Sequence, residues 1–116
     1  MTLKECYQKM DGNYDEVFSR FRTEERVQKF VLKFLNDKSY ELLCESLENE
    51  NYDEAFRASH TIKGICQNLS FTRLYQSSYQ LTELLRDKKI DQIEDYVNRV
   101  KEDYLLAIEA IHELAK

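Results

Sequence analysis

In 116 residues this chain has no proline and only two glycines. Those two residue types are the commonest interrupters of a helix, and their near absence leaves little to punctuate strands and tight turns. Leu, Glu and Lys are abundant, and no segment alternates with the period of two that a strand requires. The chain is therefore read as all-α, and its length suits one domain with one core spanning residues 1–116.

The apolar residues recur at helical spacing. Leu3, Tyr7 and Met10 mark a short N-terminal helix, and Val17, Phe18 and Phe21 a second. Val27, Phe30, Val31, Phe34 and Leu35 form a stronger stripe, followed after a turn near Asn36–Ser39 by Leu42, Leu43 and Leu47. The last helix, from about Gln92 to the end, spaces Ile93, Val97, Val100, Tyr104, Ala107, Ile111 and Leu114 by fours and threes, as a bundle seam does. Asn-Tyr-Asp-Glu occurs at 13–16 and again at 51–54. Asn followed three residues later by Glu has the form of a capping box, so helices are expected just after Asn13 and Asn51. Asp91 with Glu94 gives the same signal, Thr23 is a fourth cap, and Ser70 is expected to cap a helix that turns Phe71, Leu74, Leu81, Leu84 and Leu85 inward. Arg86 to Ile90 reads as a charged connection. Short links between long helices predict an antiparallel four-helix bundle with additional short N-terminal helices.

Composition excludes several functions. A net charge of −5 opposes nucleic acid, which wants a basic face, and an anionic membrane surface. No run approaches the roughly 20 apolar residues of a membrane span, and the first residues hold no secretory stretch. The cysteines Cys6, Cys44 and Cys66 are odd in number and lie at neither disulfide-framework nor zinc-ribbon spacing. Reduced thiols in a cytoplasmic protein are the expectation, with no metal site.

The second glycine, Gly64, falls inside the 51–69 helix, where it costs roughly 1 kcal/mol against alanine. One turn before it stands His60, with Lys63 between. On a helical wheel Ala55, Ala58, Ile62, Ile65, Cys66 and Leu69 share the core face. His60 lies opposite, with Lys63, Gly64, Gln67, Arg57 and Asp53 on the outer half. A neutral imidazole is a competent nucleophile near neutral pH. If it takes a phosphoryl group, Lys63 at i+3 is placed to meet the new charge, and Gly64 at i+4 leaves the approach open for a partner protein. Arg57 and Gln67 can add hydrogen bonds at the margin.

The stretch from Ala55 to Leu74, with Ala58-Ser-His60-Thr-Ile-Lys63-Gly64 at its centre, resembles the histidine-containing phosphotransfer (HPt) domains of bacterial two-component phosphorelays. It is also similar to the phosphoacceptor domain of chemotaxis histidine kinases. The likeness runs ungapped from about Asn51 to Leu85. It implies that His60 is the phosphoacceptor, that Lys63 stabilises the phosphoryl group, that Gly64 admits the partner, and that Arg57 and Gln67 are polar neighbours. It further implies a phosphocarrier rather than an enzyme. The partners would be receiver domains and a hybrid or sensor histidine kinase, with Mg²⁺ on the receiver and no cofactor of the chain's own. With no kinase ATP-binding motif, the chain reads as a stand-alone, monomeric relay. Ser70 departs from the family, which commonly has glycine there.

Two other functions compete. A helical scaffold of the same fold would never be phosphorylated, and would tend to have lost Lys63 or Gly64. A metal or redox protein would need His60, His112 and the cysteines together, but His112 is expected as a partly buried surface residue of the last helix.

Overall fold

The computed structural model describes residues 1–116 and holds seven α-helices: α1 (Leu3–Lys9), α2 (Tyr14–Phe21), α3 (Glu24–Lys33), α4 (Ser39–Glu48), α5 (Tyr52–Leu69), α6 (Thr72–Arg86) and α7 (Glu94–Ala115). Single 3₁₀ turns at Phe34–Asn36 and Ile90–Gln92 lead into α4 and α7, and there is no strand. Helices α4 to α7 form the four-helix bundle, each packed on the next in sequence. Connections of two or three residues at α4–α5 and α5–α6 make those neighbours antiparallel. The helix α1 lies along α7, where Lys9 bridges to Glu113 at 2.6 Å, and α3 touches both α5 and α7.

One hydrophobic cluster of 23 buried residues runs from Leu3 to Ile111. Tyr7, Val17, Val27 and Val31 from the first three helices are fully buried in it beside Leu81 and Ile111. The N-terminal helices thus share the bundle's core rather than decorating it.

Side-chain caps start α2, α3 and α5 as their spacing predicts. Asn13 Oδ1 accepts from Glu16 N, Thr23 Oγ1 from Arg26 N and Asn51 Oδ1 from Glu54 N. The reciprocal arm of the capping box is absent at Asn13 and Asn51, because Glu16 reaches Ser70 and Glu54 pairs with Arg57. A complete box forms instead at Thr2 and Glu5. Asp91 caps nothing. It sits inside the second 3₁₀ turn, and α7 begins at Glu94 behind Ile93, without a side-chain cap.

Ser70 also differs from expectation. It ends α5 rather than starting α6, in the left-handed conformation with φ 57° and ψ 39°. Phe71 N–H reaches back to Cys66 O at 2.9 Å and Ser70 N–H to Gln67 O at 3.3 Å, a Schellman closure. The same two-bond closure ends α1 at Asp11, α4 at Glu50 and α6 at Lys88, all at positive φ. Neither glycine has a positive φ.

Candidate functional site

Helix α5 buries Ala55, Ala58, Ile62, Cys66 and Leu69, the face that periodicity predicts, and adds Ser59, which the wheel leaves out. Ile65 is only half-buried at the edge toward α3. Ser59 Oγ lies 2.7 Å from Thr82 Oγ1 of α6, and Thr82 Oγ1 donates to Ser78 O at 2.6 Å. Small side chains here bring α5 and α6 close, and a buried hydroxyl pair fixes their register beside position 60.

His60 is exposed, on the face opposite the core. Its ring lies nearly parallel to that of Phe56, one turn earlier, with centroids 5.9 Å apart and planes 21° apart. The guanidinium of Arg86 covers the Phe56 ring at 5.4 Å and lies 3.7 Å from Glu83. The imidazole is thus steadied from within its own helix and braced by the end of α6. Arg86 belongs to α6 and to this surface, not to a charged connection.

Lys63 shares the face but is half-buried. Its Nζ stands 5.7 Å from the ring centroid of Tyr79 on α6. Nothing lies within 4 Å of a β-carbon built on Gly64, so the surface one turn beyond His60 is open. Arg57 is exposed and paired with Glu54, one turn back. Gln67 is exposed too, near the far end of the helix. There Arg20 of α2 donates to Asn68 O at 2.5 Å and Gln67 O at 3.5 Å, placing a cation on the C-terminal carbonyls of α5.

All five residues singled out by sequence stand on α5 away from its core face. Phe56 is missed, although its i−4 spacing from His60 is legible, because an aromatic residue at that place reads as bundle edge. Tyr79, Arg86 and Thr82 carry no signal of their own, since only the packing of α6 brings them here. His112 is exposed on α7 rather than partly buried. Cys6 and Cys66 are buried and Cys44 is exposed. No three His, Cys, Asp or Glu side chains gather to hold a metal ion, and no helix is long and apolar enough to cross a membrane.

An outward imidazole, a half-buried lysine three residues on and an unobstructed glycine share one helix of the bundle. The sequence profile of the Hpt domain matches residues 35–114, and the chain belongs to that family. The family's members are phosphocarriers of two-component phosphorelays that interact with kinases and receiver domains. The match takes in α4 to α7 and leaves α1 to α3 outside. Comparison with curated proteins and with solved structures gives no match.

Proposed function

We propose that this chain relays a phosphoryl group through His60, between aspartates of receiver domains or from a histidine kinase system. One ring nitrogen of His60 attacks the phosphorus of an aspartyl phosphate. The P–O bond to the carboxylate breaks, the P–N bond forms, and the imidazole N–H proton passes to solvent. The reverse exchange returns the group to an aspartate. Lys63 meets the phosphoryl oxygens with a charge-assisted contact, and Gly64 keeps the approach low enough for the donor's active site to seat over the ring. Arg57 and Gln67 line the margin. The chain needs no metal or cofactor of its own, because the receiver brings the acyl phosphate and its Mg²⁺. All of residues 1–116 act as one monomeric unit, in the cytoplasm where such partners work.

The observation that carries this reading is the exposed His60 beside Gly64, where nothing occupies the space a side chain would fill. The test is incubation with receiver proteins charged from acetyl phosphate. Acid-labile, alkali-stable label arriving on this chain supports the relay. A chain that binds charged receivers but never takes label would instead be the scaffold of the same fold.

A further inference from the structure

The cations around His60 are not held alike. Arg57 is paired with Glu54, and Arg86 has both Glu83 and the Phe56 ring. None of the ion pairs in the molecule includes Lys63. Its ammonium has instead the face of Tyr79, 5.7 Å away. A carboxylate in that place would compete with an arriving phosphoryl group for the ammonium, and would repel it. A ring face does neither: it holds the cation through its quadrupole and leaves the charge unspent. The ring is exposed, but the helix that carries it is fixed in register. Tyr79 stands three residues before Thr82, whose hydroxyl is locked to Ser59 next to His60. Across this α5–α6 seam the Ser59 hydroxyl meets Thr82 Oγ1 and the main-chain carbonyl of Ser78, and the face of Tyr79 lies beside Lys63.

We propose that Tyr79 is a positioning residue for phosphoryl transfer: it holds the Lys63 ammonium beside His60 while the imidazole is bare, and yields it to the phosphoryl oxygens once the phosphohistidine forms. This rests on His60 being the phosphoacceptor. It adds that Lys63 is presented in advance by a neighbouring helix, and that the hold is weak enough to be given up.

The test uses the full chain and phosphoramidate, a donor too small to need docking. Its P–N bond breaks as the imidazole P–N bond forms, and ammonia leaves as ammonium with the imidazole proton. In NMR spectra the ε-methylene protons of Lys63 should be shifted upfield by the ring current in the wild type and in Tyr79→Phe, but not in Tyr79→Leu. On phosphorylation of the wild type the shift should collapse. Acceptance should slow about threefold in Tyr79→Leu, because a Lys63 side chain that is no longer held in place must be ordered as the phosphoryl group arrives. It should be unchanged in Tyr79→Phe, and unaffected by Tyr79→Leu when Lys63 is already alanine.

An unshifted Lys63 in the bare protein would overturn the proposal, as would a shift that survives phosphorylation. Equal slowing by Tyr79→Leu with and without Lys63 would also overturn it, since Tyr79 would then act by another route. A ³¹P spectrum without any phosphohistidine signal would remove the functional reading itself, and the proposal with it. A phosphohistidine beside an unmoved Lys63 would remove the proposal alone.

Discussion

The main-chain carbonyl of Ser70 lies 2.9 Å from where a β-carbon on Gly12 would stand, and Tyr7 Cδ2 lies 2.7 Å from the same point. Two turns clasp here. Asn13 N–H donates to Ser70 O at 2.8 Å, Arg73 N–H to Asp11 O at 3.2 Å, and the Tyr7 hydroxyl to Leu69 O at 2.7 Å. The α1–α2 turn is thereby fastened to the end of the helix that carries His60. Gly12→Ala must push backbone against backbone, so it should cost about 1–3 kcal/mol in urea unfolding. An alanine variant as stable as the wild type would mean that the turns do not approach this closely.

Gly64 is the opposite case. With nothing within 4 Å of its β-carbon position, Gly64→Ala should stabilise the protein by about 0.5–1 kcal/mol through helix propensity. Gly64→Leu should fold equally well yet block transfer from a charged receiver, while phosphoramidate still phosphorylates it. Loss of both donors together would show that the side chain reaches the imidazole rather than the docking partner.

Ser70 stands at positive φ and is held by two side chains of α2. Its hydroxyl donates to Glu16 Oε1 at 2.6 Å and accepts from Arg20 Nη1 at 3.1 Å. Ser70→Ala loses both bonds and keeps the left-handed strain. Ser70→Gly loses the bonds but relieves strain of roughly 1–2 kcal/mol. Chemical denaturation should therefore rank the glycine variant about 1 kcal/mol or more above the alanine variant. Equal stabilities would mean that the conformation at Ser70 carries no strain.

Burial lifts the Cys6 thiol from 9.0 to about 11, and raises Cys66 and Tyr7 well above their ordinary values. Between pH 9 and 11 the unfolded chain loses a Cys6 proton that the folded chain keeps. Stability from this group is therefore full below pH 9 and declines as pH rises toward 11, by roughly 2 kcal/mol. Urea midpoints should fall across that window, and at pH 8 a thiol reagent should modify the exposed Cys44 quickly and the other two slowly. A midpoint that stays level from pH 8 to 10.5 would contradict burial of these groups.

What the chain makes legible follows from where each signal is stored. Helix faces are written locally, in the spacing of Ala55, Ala58, Ile62, Cys66 and Leu69, and so are caps such as Asn13, Thr23 and Asn51. Turn geometry is less so. Asp11, Arg22, Glu50, Ser70 and Lys88 all have positive φ, and none announces it, because the surrounding packing imposes a conformation their side chains do not favour. The reading of Ser70 as a helix start fails for this reason. At Asp91 a sound capping pattern is overridden by the 3₁₀ turn that carries the chain from α6 into α7. In the site, His60, Lys63 and Gly64 can be read because one helix holds all three. The support from Tyr79 and Arg86 depends on the rotation of α6 against α5, which the Ser59–Thr82 contact sets and no short pattern encodes.

The most direct measurement is to charge a receiver with labelled phosphate, mix it with the wild type and with His60→Gln, and locate the label under alkaline conditions that preserve phosphohistidine. The account predicts label on residue 60 in the wild type, and at least a hundredfold loss in the variant with helical content unchanged, as expected when the only nucleophile at the site is removed. Label on another residue, or undiminished labelling of a folded His60→Gln protein, would contradict it.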